Sequence, residues 1–331
     1  MVAAVPARRF ASGLELSAIG LGCMGMSSAY GVPDDAESTA TLERSIELGV
    51  THWDTADVYG VDGSNERLLG AVLRRRREEV TLATKFGFVP GPDGRPIGVD
   101  ARPERAAAAL DASLSRLGVE AVDVYYLHRP QRDIPIEDTV GAMAALVAQG
   151  KVRHLGLSEA SASTLRRAAS VAPVAVLQSE YSLFSRDIEG EIIDTARELG
   201  IGIVPYSPLG HGLLTGGVVS TAGFPEHDLR FGLPQFAEGN LEENVRKVAV
   251  IAEVAARYEA TPAQVALAWL LAQGPDIAPI AGTKKRSYLE QNAGAASLVL
   301  AGADLELLSG LTPSGSRYLD ESQTNVETVV R

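Results

Sequence analysis

Short apolar runs rich in β-branched residues alternate along the chain with longer stretches in which Ala, Leu, Arg and Glu recur at helical spacing. The short runs are Ile19-Gly20-Leu21, Thr51-His52-Trp53-Asp54, Val80 to Thr84, Val122 to Leu127, Val152 to Leu157, Val174 to Leu177, Ile201 to Pro205 and Ile277 to Ile280. Brief apolar runs bounded by turn formers read as buried strands, and the periodic stretches between them as amphipathic helices. Helices are expected near Glu37–Leu48, Asn65–Arg75, Pro103–Leu117, Ile136–Gln149, Ser161–Ser170, Asp187–Leu199, Leu241–Tyr258 and Ser287–Ala296. One more opens at Thr261-Pro262, an N-cap followed by proline, and runs through Leu271. Leu48-Gly49 and Leu199-Gly200 place glycine just past a helix, where a left-handed cap is needed.

Strands joined through helices pair in parallel. Eight such units without an obvious linker predict an α/β protein with one domain over residues 1–331, a (β/α)8 TIM barrel rather than an open doubly wound sheet. Three stretches exceed a minimal connection: Gly87–Arg102, readable as a turn or hairpin, Gly210–Asn240, and the polar tail Thr312–Arg331. Long loops in compact domains are usually functional or disordered.

Composition narrows the partners. Lys and Arg total 30 against 42 Asp and Glu, a net charge of −12. That excess repels phosphate backbones and anionic lipid, so the expected partner is a small molecule, not nucleic acid or membrane. An anionic ligand then needs a local basic patch. Cys23 is the one cysteine, which rules out an intrachain disulfide. His52, His154, His211 and His227 lack metal-ligand spacing, and no metal is expected. No apolar run approaches the roughly 20 residues of a membrane span. The stretch Ala18 to Met26 is broken by Gly20, Gly22 and Gly25 and makes a poor export segment, so a cytoplasmic location is expected.

Polar residues appear where strands finish: Asp54, Lys85, His128, Ser158 with Glu159, Gln178, Tyr206, and Gly282-Thr283-Lys284. In a barrel these ends share one face, where such enzymes place their sites. A partly buried Lys85 ammonium needs an anion, and Asp54 on the neighbouring strand is the natural one. Tyr59, five residues beyond Asp54, is placed to fold back over the mouth. An ammonium beside a phenol lowers its pKa and makes it a usable proton donor to a carbonyl. His128 is placed to orient the same oxygen. Singly, each residue has an ordinary structural role open to it: loop cap, packing ring, snorkelling amine, satisfied imidazole. Their joint placement favours chemistry.

Gly20-Leu-Gly-Cys-Met-Gly25 matches the dinucleotide fingerprint G-x-G-x-x-G, which works only where a helix opens inside it. Gly31 and Pro33 intervene before the first helical pattern, so these glycines are expected to build the loop after the first strand.

Over nearly its whole length the chain resembles the aldo-keto reductase superfamily. The likeness is carried in order by Asp54-Thr-Ala-Asp-Val-Tyr59-Gly, Asn65-Glu66 with Leu69-Gly70, Ala83-Thr-Lys85-Phe and Asp123-Val-Tyr-Tyr-Leu-His128. It continues through Gly150-Lys-Val-Arg, Leu155-Gly-Leu-Ser158, Gln178-Ser-Glu-Tyr181-Ser, Tyr206-Ser-Pro-Leu-Gly210, Gly282-Thr-Lys284 and Leu289-Glu-Gln-Asn292. Tyr181-Ser-Leu-Phe-Ser-Arg186 and Ile280-Ala-Gly-Thr-Lys284 look closest to a general aldehyde and pyridoxal-type reductase branch.

The resemblance implies a tetrad of Asp54, Tyr59, Lys85 and His128 that reduces aldehydes or ketones by direct hydride transfer from NADPH, without a metal. It implies that Ser158 and Gln178 hold the carboxamide, Tyr206 stacks on the nicotinamide, and Ser207 and Leu209 face the pyrophosphate. Gly282, Thr283, Lys284, Gln291 and Asn292 match the adenosine-phosphate end, and the basic run Lys284-Lys285-Arg286 suits a 2′-phosphate. Glu159, where many relatives have Asn, His211, where many have Arg, and Tyr288 depart from the pattern. By position, Met26, Tyr30, Trp53, Arg129 and the Gly210–Asn240 loop are expected to line the substrate pocket. Two other functions fit the same residues: a nucleotide-binding regulatory subunit with little turnover, and a Schiff-base aldolase using Lys85.

Overall fold

In the computed structural model, which describes residues 4–92, 94–226 and 228–330, the barrel strands pair in parallel in the order they occur along the chain. They are β1 Gly20–Gly22, β2 His52–Asp54, β3 Thr81–Phe86, β4 Val122–Leu127, β5 Val152–Ser158, β6 Val174–Glu180, β7 Gly202–Tyr206 and β8 Ile280–Gly282. β8 returns to β1 with Ile280 beside Gly20. The ring closes at a parallel bridge between Ile203 and Ile277, where Ile203 N donates to Asp276 O at 2.8 Å and Ala278 N to Ile203 O at 2.9 Å. This is the expected (β/α)8 barrel. Around it run α1 Asp35–Glu47, α2 Ser64–Arg76, α3 Pro103–Leu117, α4 Ile136–Ala148, α5 Ala162–Val171, α6 Glu191–Glu198, α7 Asn240–Arg257, α8 Pro262–Ala272, α9 Arg286–Gly294 and α10 Gly302–Ser309.

Successive strand residues point to opposite faces, and that alternation builds two apolar layers. Ala83, Val124, Tyr126, Val176, Val204 and Ile280 fill the barrel with Phe10 and Leu16. Leu21, Trp53, Leu82, Tyr125, Leu157 and Leu177 face the helices. Space inside is made by glycine: a Cβ on Gly156 would lie 2.3 Å from the Tyr126 ring, and one on Gly202 2.5 Å from that of Phe10.

Phe10 belongs to an antiparallel hairpin, Ala7–Arg9 with Glu15–Ser17, that the hydrophobic pattern does not announce. Arg8 in this hairpin donates to the carbonyls of Gly274, Ile277 and Leu271. Four further features bear on the site, the hairpin within Gly87–Arg102 being one of the expected readings. Strands β3, β5, β6, β7 and β8 run one or more residues further than expected, so Lys85, Ser158, Gln178, Tyr206 and Gly282 lie on strands rather than after them. α6 starts at Glu191, not Asp187, because Gly190 turns the chain at φ 81°. Gly87–Arg102 is a hairpin of Phe88–Pro90 with Pro96–Val99. The polar tail runs back over the C-terminal ends of the strands, Val326 bridging to Ala160 beyond β5.

The glycine-rich run supplies β1 and a 3-10 turn, Met24–Met26, with α1 opening only at Asp35 under an Asp34 cap. No α-helix opens within the fingerprint, as expected. Among the described residues no helix is long and apolar enough to cross a membrane, and no group of three or more His, Cys, Asp or Glu side chains could hold a metal. His227 lies outside the described residues.

Candidate active site

Inward-facing positions on β2 and β3 bring Asp54 and Lys85 together at the C-terminal face, both essentially sealed from solvent. The Lys85 ammonium donates to Asp54 Oδ1, to Thr55 O at 2.9 Å and to the Tyr59 hydroxyl at 3.3 Å. Gln178 on β6 donates to the other oxygen, Asp54 Oδ2, at 2.8 Å. Tyr59 rides the loop after β2. Asn65 ties that loop to the one after β1: its Oδ1 accepts from Thr55 Oγ1 at 2.7 Å and its Nδ2 donates to Cys23 O at 2.8 Å. His128, just past β4, sets its ring edge-on to Tyr59 at 5.7 Å between centroids. The four residues, drawn from three stretches of sequence, therefore form one cluster.

The protonation states follow from burial and neighbours. Burial works against the Lys85 ammonium, but Asp54 and Tyr59 more than offset it and hold the group above its ordinary value. Burial raises the Tyr59 phenol, with the Lys85 charge pulling the other way. The net direction is upward, which corrects the expectation that the Lys85 ammonium would lower it: loss of hydration outweighs the ammonium here. His128 is driven well down by burial, Lys85 and Arg129, leaving a neutral imidazole.

Around this floor lies a second polar network. Glu159, the departure beyond β5, is fully buried at φ 52° and accepts from Arg317 Nη2 at 2.8 Å and from the backbone of Glu180 at 2.9 Å. Arg317 comes from the tail and also reaches Glu180 at 3.2 Å, Asp187 at 3.4 Å and the Tyr206 hydroxyl at 3.3 Å. Tyr318 donates to Glu180 at 3.0 Å. His211, the other departure, meets the Tyr30 hydroxyl at 2.7 Å and stands 3.9 Å from Glu180. Arg317, Tyr318 and Glu180 escaped the sequence reading. The available signal was a carboxylate at Glu159, which needs a cation if buried, and an arginine in the tail.

The family model described as the Aldo/keto reductase family matches residues 18–312. The chain belongs to that family. It is 42% identical over 323 residues to the NADP(+) aldo-keto reductase yakc of Schizosaccharomyces pombe, covering 95% of this chain and 94% of that protein. Among solved structures it is similar to the glycerol dehydrogenase of Gluconobacter oxydans, with a TM-score of 0.83 and 29% identity over 91% of this chain and 93% of that one. It is also similar to an aldo/keto reductase of Klebsiella pneumoniae solved with NADP and acetate, with a TM-score of 0.71 and 28% identity over 98% and 99% of the two chains.

As an aldo/keto reductase, the chain can be tested for its fit to a dinucleotide. The Lys285 side chain does not cap α9, and its opening N–H groups are partly engaged, Arg286 N donating to Glu37 Oε1 at 3.1 Å and Lys285 N to Thr283 Oγ1 at 3.0 Å. Lys284 and Lys285 beside them have no carboxylate within salt-bridge distance among the described residues, whereas Arg286 is engaged by Glu37 at 2.9 Å. Two such ammonium groups beside a helix N-terminus fit a phosphate. Lys284 also donates to Tyr30 O at 2.8 Å and Val32 O at 2.6 Å, tying the loop after β1 to this end. Gly282 and Gln291 are exposed, Thr283 and Asn292 buried beneath them. Ser207 turns the chain at φ 46° and, with Leu209, leads from Tyr206 towards His211. Ser158 accepts from Arg129 at 3.1 Å, and the Gln178 amide nitrogen is committed to Asp54.

Two of the expected pocket residues are elsewhere. Trp53 alternates with Asp54, so its ring points outward, fully buried, and donates to Ser45 on α1 at 2.8 Å. Met26 is likewise fully buried in the outer apolar layer. Tyr30 and Arg129 remain at the mouth.

Proposed function

We propose that the protein reduces aldehydes and ketones with NADPH, Tyr59 serving as general acid. The observation that carries this reading is the Lys85 ammonium held between Asp54 and the Tyr59 hydroxyl, 3.3 Å from the latter. NADPH, when bound, supplies the hydride. Lys284 and Lys285 beside the start of α9 would hold its phosphate end, and Ser158, Gln178 and Tyr206 its reactive ring.

The phenol of Tyr59 is raised by burial and stays protonated near neutral pH, ready to donate to a carbonyl oxygen. As the proton leaves, the adjacent Lys85 ammonium stabilises the developing phenolate, and Asp54 with Gln178 keeps that ammonium in place. Neutral His128 offers an N–H to the same oxygen and sets its direction. An ammonium held above its ordinary value is a poor nucleophile, which counts against the aldolase alternative.

The test is consumption of NADPH and of NADH by purified protein with 4-nitrobenzaldehyde, beside nucleotide titration by fluorescence. Turnover with NADPH, and a Lys284→Ala variant that weakens NADPH about tenfold more than NADH, is expected. Tight nucleotide binding with no turnover would favour the regulatory alternative, and no binding would overturn both.

A further inference from the structure

Arg129 follows His128 and leans over the mouth between two rings, its guanidinium carbon 5.4 Å from the Phe88 centroid and 5.8 Å from that of Tyr206. Its hydrogen bonds go only to neutral acceptors: His128 O at 2.6 Å, Ser158 Oγ at 3.1 Å and the Tyr206 hydroxyl at 3.3 Å. Nε is buried and meets no acceptor. No carboxylate lies within salt-bridge distance among the described residues. Three other sheltered arginines are matched: Arg116 by Glu66 at 2.6 Å, Arg230 by Asp228 at 2.8 Å and Arg317 by Glu159 at 2.8 Å. A guanidinium removed from water without an anion is costly, and the cost is lifted when a ligand brings one.

Glu159 bears on this charge from beyond ion-pair distance, but it and Glu180 are engaged directly by Arg317 and not by Arg129. Arg129 also sits next to the groups proposed to act on the carbonyl, being the sequence neighbour of His128 and close enough for its charge to bear on Tyr59. A carbonyl oxygen directed to Tyr59 and His128 leaves the rest of a small substrate beside Arg129.

We propose that Arg129 is an anion-recognition residue of the substrate pocket, and that the preferred substrates are small aldehydes or ketones that carry a carboxylate. The proposal rests on the reductase reading above. Wild type, Arg129→Met and Arg129→Lys are compared on 4-carboxybenzaldehyde and 4-nitrobenzaldehyde, which share size and position of the aldehyde and differ in charge. Benzoate binding to the NADP+-loaded protein is measured in parallel by calorimetry, and NADPH affinity by fluorescence.

The ratio of kcat/KM for the carboxylate over the nitro compound is expected to fall about tenfold or more in Arg129→Met, the worth of a charge-assisted hydrogen bond, with partial recovery in Arg129→Lys. Benzoate is expected to weaken by a similar factor. An unchanged ratio with unchanged benzoate binding overturns the proposal. So does a loss of NADPH affinity at constant ratio, which would place Arg129 on the cofactor's carboxamide. If neither aldehyde is reduced by the wild type, the reductase reading falls, and benzoate binding still decides the role of Arg129.

Discussion

Asp54, Lys85 and Gln178 stand on barrel strands and His128 just past the end of another, whereas His211, Arg317 and Tyr318 reach the same mouth from a long loop and from the tail. In the first group, position is dictated by strand alternation and register, and each side chain is locked by an inward neighbour such as the Gln178–Asp54 contact at 2.8 Å. In the second, position depends on ion pairs that hold an otherwise irregular segment down, chiefly Arg317 with Glu159 at 2.8 Å. The difference separates chemistry from access. A barrel can keep its reacting groups fixed while loops of varied sequence redraw the rim.

The largest effect is expected from Lys85→Met. Turnover should disappear, and leaving Asp54 buried without its cation should lower stability by ~3–5 kcal/mol, readable as a fall in the denaturant midpoint. Retained turnover would show that the floor does not depend on its central charge. Arg317→Leu breaks the rim instead. It strands Glu159 and Glu180, so a stability loss of about 3 kcal/mol is expected, with the tail becoming sensitive to protease well below global unfolding. The Glu159→Gln, Arg317→Leu double variant should recover part of that loss. Equal protease resistance in the single variant would mean that the tail is held by other contacts, such as Thr164 Oγ1 to Val326 O at 3.0 Å.

How far the molecule can be read in advance divides along the same line. The eight strand and helix patterns, and with them Asp54, Lys85 and His128, follow from short apolar runs and helical spacing because the barrel buries every strand in the same way. Trp53 shows the limit of position alone: one residue from Asp54, it faces the opposite layer and packs on α1. The N-terminal hairpin is too short to leave a pattern, although Phe10 fills the barrel beside Gly202. Arg317 lies 158 residues from Glu159, a separation at which nothing local marks a partner.

Acid should loosen the rim further. Burial pushes the Glu159 carboxyl up, but Arg317 and then Arg129 outweigh it and hold it below its ordinary value. A group depressed in the folded state contributes stability above its unfolded value, about 4.3, and that contribution fades as pH falls through the lower folded value. Protease sensitivity of the tail should therefore rise below about pH 4.3 in the wild type, and the Glu159→Gln variant should lack that dependence on pH. A pH-independent tail in the wild type would contradict the ion-pair account. The smallest effect is expected from Trp53→Phe: loss of the Ser45 hydrogen bond and some packing should cost about 1–2 kcal/mol in stability, with KM unchanged, since the ring does not face the pocket.

The most direct test of the central claim, that Tyr59 donates the proton under the influence of Lys85, is Tyr59→Phe measured for NADPH affinity and for turnover on 4-nitrobenzaldehyde. The account predicts nucleotide binding within about twofold of wild type and a fall in kcat of about 10²–10⁴-fold, the usual contribution of a general acid. Turnover that survives the loss of the phenol would contradict it.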